Sequence, residues 1–238
     1  PKAVMFSRAM FMCSLYEVMW SQRKVFPALP IPAPLYLAIK QIRKNGGLLS
    51  PNLFAPTSSA SARESVKKWV LELPLNFNVI QHGEVNELMG LIYFFLFNLT
   101  DSIIPTFMAD LFIEKSQQNR FNDIVKELPP LHYHTLQYLV GFLQEYLTYN
   151  EQNHTTASKI VEEMHKFFVE TATKSIEPFK RAKLIELSPA FLNYCLTDLD
   201  CKLMYPLDPR YTREVSPNSR EKRSHTFKGQ KNDTVLPK

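Results

Sequence analysis

Glycine and cysteine are scarce in this sequence, and each shortage excludes some classes of protein. Only six of the 238 residues are glycine, which disfavours all-β folds built on many tight turns. No G-x-x-x-x-G-K-[ST] motif occurs, so a glycine-rich phosphate-binding loop is not expected. The three cysteines, Cys13, Cys195 and Cys201, form no C-x-x-C pair and no even disulfide set. This pattern is typical of a reducing compartment, so we expect a cytoplasmic location.

A long apolar run is missing as well. The best candidate, LMGLIYFFLFNLT at residues 88–100, is shorter than the roughly 20 residues of a membrane-spanning helix. Asp101 and Pro105 interrupt its continuation, so the stretch predicts a buried helix. No signal-peptide pattern is seen, and the chain begins with Pro1, so we expect it to be a piece of a longer protein.

A charge excess is missing from the body of the chain, although the net charge is +5. Residues 210–238 contain eight Lys or Arg and three Asp or Glu, whereas residues 1–209 contain 20 of each. The basic residues of the tail are not interleaved with aromatic ones, so we expect no nucleic-acid binding. The polar segment 208–238 predicts a disordered tail, which could contact an anionic membrane.

Helical periodicity is what the chain does contain. Apolar residues recur at three- and four-residue steps, which predicts an all-α fold of seven to nine helices. Helices are predicted at residues 35–44, from Ser59 or Ser61 to Leu73, at about 85–99, 106–114 and 124–128, around 136–147, at 155–170 and, after Ser188-Pro189, at 189–199.

Proline marks the predicted domain boundary. The stretch FPALPIPAP at 26–34 contains four prolines, which block both helix and central strand, and predicts a stiff linker. Residues 1–25 before it fit either a strand pair or one poorly formed helix, and would be an N-terminal extension or the end of a preceding domain. Residues 35–207 then form the helical domain, and 208–238 form the tail.

A self-contained catalytic site is not apparent. No G-x-S-x-G elbow is present, and neither Cys195 nor Cys201 has a histidine nearby in sequence to activate it. His132 and His134 point to different faces of a helix start and lack a carboxylate or cysteine cluster, so we interpret them as surface or capping histidines. We therefore expect no metal and no cofactor.

The order of motifs from Ile31 to Leu196 resembles the RhoGAP domain family. IPAPLYLAIKQIRKNGG is similar to its opening helix, and NLFAPTSS falls at its catalytic loop, usually G-[IL]-F-R-x-S-G. LMGLIYFFLFNLTDSIIP is similar to its L-L-K-x-Y-L-R-E-L-P-E-P-L-I-P block. ELPPLHYHTLQYLVGFLQEYLTYNEQNHTTASKI parallels the L-P-x-x-N block that ends in N-K-M-T. The resemblance implies a RhoGAP-like helical bundle.

The resemblance is closest to the RhoGAP-like domain that ends type II inositol polyphosphate 5-phosphatases, of the Lowe syndrome type. It implies that residues 1–25 end a β-rich ASH domain and that the phosphatase domain lies outside this chain. It also implies that the protein acts at endosomal or Golgi membranes. The expected partners are a small GTPase of the Rac or Cdc42 kind, or helical endocytic adaptor peptides that contain Phe and His.

Three departures from the family pattern predict a domain without GTPase-activating activity. The arginine finger of active members aligns with Ala55, whose methyl group cannot donate a hydrogen bond to a phosphate oxygen. The family lysine of L-L-K aligns with Tyr93, and a family asparagine aligns with Lys159, while Asn153 is retained. These four positions, with Phe54 and Arg63, are the candidates for facing a GTPase. The alternative is an active Rho GTPase-activating protein in which Arg63 serves as a non-standard arginine finger.

Overall fold

The computed structural model describes residues 10–51, 53–54, 60–73, 76–171 and 176–212. Within these ranges the protein is helical, without β-strands, and contains ten α-helices. The predicted all-α fold is therefore confirmed, with short helices added to the predicted set. The helices are α1 (Leu15–Gln22), α2 (Ala33–Lys44), α3 (Ala60–Glu72), α4 (Val85–Phe97), α5 (Ala109–Gln117), α6 (Phe121–Glu127), α7 (Pro130–Thr148), α8 (Asn150–Asn153), α9 (Ala157–Met164) and α10 (Pro178–Asp198).

Helix α2 shows how local sequence sets the element boundaries. Pro34 lies in its first turn, where a missing N–H costs nothing, and Arg43 and Lys44 lie in its last turn, where they complement the helix dipole. Gly46 follows in the left-handed conformation, with φ of 73°, and ends the helix. The helix predicted at 35–44 is confirmed.

One apolar core joins the helices. Helix α2 packs against α4, and α4 packs against α3. Ile39, Ile92 and Phe142, from α2, α4 and α7, are all essentially inaccessible to solvent. For the helix after Ser59 or Ser61, the sequence predicts an apolar face of Val66, Trp69, Val70 and Leu73. Val66, Trp69 and Leu73 are buried in the same core and Val70 is partly buried against it, so this face is confirmed.

Among residues 10–25, Leu15–Gln22 form a helix, which is one of the two alternatives that the sequence left open. Helix α1 begins at a capping box, in which Ser14 and Glu17 satisfy each other's backbone N–H groups. The proline-rich stretch after α1 is packed rather than exposed: Ile31 is fully buried, and its carbonyl accepts a 2.8 Å hydrogen bond from Gln22 Nε2. The described part of the predicted N-terminal extension thus shares the core of the helices that follow.

The prediction of a helix that starts at 189 is wrong. Helix α10 runs from 178 to 198 without a break and contains Pro189. A proline there cannot donate to the carbonyl of Ile185, four residues earlier. The Ser188 hydroxyl replaces that donor and bonds the Ile185 carbonyl oxygen at 3.0 Å, so the helix tolerates the proline.

The chain after α10 folds back on the domain. Gly141 of α7 makes room for Tyr205, because a Cβ at Gly141 would lie 2.4 Å from the Tyr205 Cβ. The predicted tail, 208–238, lies outside the described residues after Thr212. In the part of the chain that is described, no helix is long and apolar enough to cross a membrane.

Candidate functional site

The loop PNLFAPTSS is anchored by its two apolar residues. Leu53 and Phe54 are both buried, and the Phe54 ring meets the Tyr146 ring edge-on, with centroids 5.1 Å apart. Asn52 and residues 55–59 lie outside the described residues, so Ala55 is known here from the sequence alone. The side chain of Phe54, a candidate for facing a GTPase, belongs to the core.

Tyr93 holds the backbone of this loop from α4. Its hydroxyl donates a hydrogen bond to the Phe54 carbonyl oxygen at 3.1 Å. Its ring stacks on Phe167, with centroids 4.7 Å apart and an interplanar angle of 23°. Burial, with a smaller contribution from the nearby Glu163 carboxylate, raises the pKa of the Tyr93 phenol. Tyr93, which the resemblance aligns with the family lysine, is therefore a neutral side chain whose hydroxyl bonds the backbone of the loop.

Asn153 holds the start of the same loop from inside the domain. It is fully buried, and its Nδ2 donates to the carbonyl oxygens of Leu48 at 3.0 Å and Tyr146 at 2.8 Å. Its Oδ1 accepts from the Thr155 N–H at 2.9 Å. Every polar atom of this side chain thus has a partner within the protein, so the retained asparagine acts as a structural clamp and not as a surface contact.

Tyr146 links the two anchors. Its hydroxyl donates to the Ser50 carbonyl and accepts a 3.1 Å bond from the Thr155 hydroxyl, while its ring packs on Phe54. Sequence reasoning missed Tyr146 and Thr155. The only local signal was that both residues lie near Asn153 in sequence. The Tyr146–Ser50 bond spans 96 positions of the chain and leaves no local pattern.

Arg63 and Lys159 are both exposed cationic side chains. Lys159 lies in the first turn of α9, where its backbone N–H donates to the Thr156 cap at 3.3 Å. Arg63 lies on α3 and borders the same groove as Tyr93. The structure thus joins Phe54, Tyr93 and Asn153 through one network and leaves the two cations at the surface.

This groove is the clearest binding feature beside the loop. It encloses about 430 Å³ between α3, α4 and the turn 165–168, and its lining is mostly apolar. Phe97 lines the groove and remains 41% exposed. The apolar lining residues are Val66, Gly90, Tyr93, Phe94, Phe97 and Phe167, and the polar ones are Arg63, Lys67 and Asn98.

The described ranges contain no group of three His, Cys, Asp or Glu side chains placed to hold a metal ion. His132 is a correction to the sequence interpretation, because it is buried and its Nδ1 contacts the Ile103 carbonyl oxygen at 3.0 Å. Burial raises the pKa of the Cys201 thiol to about 12, and it also raises that of Cys195. Both thiols are therefore protonated at neutral pH and weak nucleophiles.

Comparison with known families gives one match over more than half of the chain. The model of the RhoGAP domain matches residues 32–169. A Dictyostelium discoideum protein named GTPase activating protein homolog 4 is 27% identical over 138 residues. Those residues are 57% of this chain but 15% of that relative, so this chain corresponds to a small part of it.

Solved structures share the fold at low identity. Human Rho GTPase activating protein 15 aligns with a TM-score of 0.63 and 14% identity, over 79% of this chain and 90% of that one. The BH domain from GRAF, the GTPase regulator associated with focal adhesion kinase, aligns with a TM-score of 0.55 and 12% identity. It covers 69% of this chain and 89% of its own. At these identities the likeness concerns the helical fold.

Proposed function

We propose that this chain, which belongs to the RhoGAP domain family, is a catalytically inactive module that binds a Rho-family GTPase of the Rac or Cdc42 kind. Membership of the family implies interaction with such GTPases or their regulation. The observation that carries the proposal is Ala55, which stands where active members have the arginine finger. That guanidinium is worth roughly 10³–10⁵ in the rate of GTP hydrolysis, or about 4–7 kcal/mol.

The surroundings of residue 55 support inactivity. The Tyr93 hydroxyl is bonded to the Phe54 carbonyl, and its ring is stacked on Phe167. A side chain held in this way supplies no positive charge to a phosphate. The side-chain amide of Asn153 is likewise fully hydrogen-bonded within the protein. Two family positions beside the nucleotide thus serve to hold the loop.

The groove beside Tyr93 favours peptide recognition as a further role of the same module. Its lining is mostly apolar, and Arg63 and Lys67 stand one helical turn apart on α3 at its edge. Such a groove suits an amphipathic helix with anchors at i, i+3 and i+4. We propose helical adaptor peptides that contain Phe and His as its ligands, in a 5-phosphatase parent that acts at endosomal or Golgi membranes.

An active domain that uses Arg63 is the alternative. Arg63 is exposed and borders the groove that Tyr93 lines, so it lies on the same face as the loop. An arginine finger works only when it is held to within about half an ångström of the productive geometry. Arg63 stands on α3 and not on the loop that presents the finger in the family, which favours the inactive interpretation.

Single-turnover GTP hydrolysis tests the proposal. Rac and Cdc42 loaded with labelled GTP are mixed with excess full chain, and bound nucleotide and phosphate release are followed together. Binding with less than about tenfold acceleration is the expected result. Acceleration above tenfold that disappears in Arg63→Ala would overturn inactivity, and absence of binding would remove the GTPase as partner. The variant Ala55→Arg is the comparator, since acceleration confined to it would locate the missing step at residue 55.

A further inference from the structure

We propose that the exposed face of α1 docks on an anionic membrane surface. The face consists of Tyr16 and Trp20 on α1 and of Met12 in the bend before the helix, and we call these three residues the α1 stripe. This inference is independent of GTPase binding, because α1 and the groove near Tyr93 have no lining residue in common. It also differs from membrane contact through the basic tail.

The α1 stripe is both apolar and open to solvent. Met12, Tyr16 and Trp20 are 67%, 57% and 66% exposed, and they recur every four residues. Tyr16 and Trp20 stand one turn apart on the same side of α1, about 6 Å along its axis. Met12 lies in the bend before the helix, with φ of 62°. Tryptophan is rarely left this exposed, and a row of three such side chains marks an interaction surface.

The opposite side of α1 is rigidly held. Leu15 and Val18 are buried in the core, and Gln22 is fully buried with its amide bonded to the Ile31 carbonyl and the Ala33 N–H. The exposure of the stripe therefore does not reflect a loosely attached helix. Its side chains project from an anchored element, as a docking surface requires.

Positive charge lies beside the stripe. Arg23 and Lys24 follow α1 and are exposed, and the Arg23 guanidinium lies 3.0 Å from the centroid of the Trp20 ring. The one acidic residue of α1, Glu17, is a carboxylate that accepts a hydrogen bond from the Ser14 N–H at 2.7 Å. The described residues 10–24 contain two basic residues and one acidic residue, whereas residues 25–209 contain 16 and 19. A negatively charged surface would thus attract this end of the domain and repel the rest.

The combination of residue types favours lipid over a protein partner. Tryptophan and tyrosine concentrate at membrane–water interfaces, where the ring is buried and the N–H or O–H stays wet. Side chains that project from a helix need no complementary pocket in a lipid surface, and each adjacent Lys or Arg adds attraction to anionic headgroups. The occupant we infer is therefore the headgroup region of an anionic bilayer.

The two tryptophans provide a direct readout. Trp20 is exposed, whereas Trp69 is 5% exposed and lies in the core. When the full chain is titrated with vesicles of phosphatidylcholine containing about a third phosphatidylserine, we expect a blue shift of the Trp20 emission and quenching by brominated lipid. We expect neither effect with pure phosphatidylcholine.

Matched variants assign the effect to the α1 stripe. Trp20→Ala and Tyr16→Ala should each weaken vesicle binding about fivefold to tenfold, and Arg23→Glu with Lys24→Glu about tenfold to thirtyfold. Phe107→Ala removes an aromatic ring that is 73% exposed elsewhere and should leave binding unchanged. All five substituted positions are on the surface, so the variants should fold.

Three results would overturn the proposal. The first is an absence of binding to both kinds of vesicle. The second is binding that survives Trp20→Ala with no spectral change in the original protein, which would favour a protein partner for the stripe. The third is binding lost on deletion of residues 213–238 and unaffected by changes in α1, which would assign membrane contact to the tail.

Discussion

The hydroxyl of Tyr93 donates a hydrogen bond to the carbonyl oxygen of Phe54, over 3.1 Å and across 39 positions of sequence. In the resemblance to the RhoGAP pattern, Tyr93 aligns with the family lysine, and Phe54 immediately precedes the residue aligned with the arginine finger. The bond between Tyr93 and Phe54 is a hydrogen bond between neutral groups. The bond serves to hold the loop in place.

Tyr93→Phe should destabilise the domain by about 1 kcal/mol. The change removes the hydroxyl and leaves the Phe54 carbonyl without this partner, while the stacking on Phe167 is retained. Urea unfolding followed by circular dichroism measures the effect. Tyr16→Phe, at an exposed position, is the control and should change stability by less than about 0.5 kcal/mol. Equal effects of the two variants would contradict the anchoring role of Tyr93.

Asn153→Ala should cost more, about 3 kcal/mol in the free energy of unfolding. It removes the donors to the Leu48 and Tyr146 carbonyls and the acceptor of the Thr155 N–H, all in a buried site. Asn122→Ala on the exposed side of α6 is the matched control. If Asn153→Ala instead left stability intact and weakened GTPase binding alone, Asn153 would be a contact residue, in conflict with its burial.

Ser188→Ala should destabilise α10 by about 1–2 kcal/mol, because the Ile185 carbonyl then loses the hydroxyl that stands in for the missing N–H of Pro189. The effect should be smaller in a Pro189→Ala background, where an N–H is available to that carbonyl. Thermal unfolding of the four proteins of this double-mutant cycle gives the coupling. Additive effects would show that the serine and the proline act independently.

Stability should fall as the pH drops below about 6.5, the ordinary pKa of histidine. Burial lowers the pKa of His132 more than its contact with the Ile103 carbonyl raises it, and burial also lowers the pKa of His134 and His165. The unfolded chain therefore binds these protons at higher pH than the folded one. Their contribution is complete above the unfolded pKa and is lost as the pH falls through the folded values.

His132→Asn should reduce this pH dependence, since an amide can replace the Nδ1 donor to the Ile103 carbonyl without taking up a proton. Urea unfolding between about pH 5 and 8 measures the slope. His82→Asn, at an exposed position, should leave the slope unchanged. A slope that is the same in the original protein and in His132→Asn would assign the proton uptake to other groups.

Local pattern was sufficient for most of the helices. The end of α2 followed from Asn45-Gly46-Gly47, whereas its start at Ala33 lies two residues inside the stretch predicted as a linker. The buried face of α3 followed from the spacing of Val66, Trp69, Val70 and Leu73. Such features depend on residues within one or two turns, so they can be seen in the sequence. The predicted helix start at Pro189 was wrong, because the hydroxyl of Ser188 replaces the missing backbone donor. Helix propensities do not take such a side-chain bond into account.

By itself, the sequence determined the chemistry that residue 55 lacks, since no fold can give an alanine a guanidinium. Only the tertiary structure decided what Tyr93 and Asn153 do instead. Their partners lie 39 and 105 positions away, at Phe54 and Leu48, and whether a polar side chain faces solvent or a backbone carbonyl depends on which segments pack beside it. Because these bonds are shielded from water, removing one of them costs stability. Tyr93 and Asn153 therefore stabilise the loop and the segment before it.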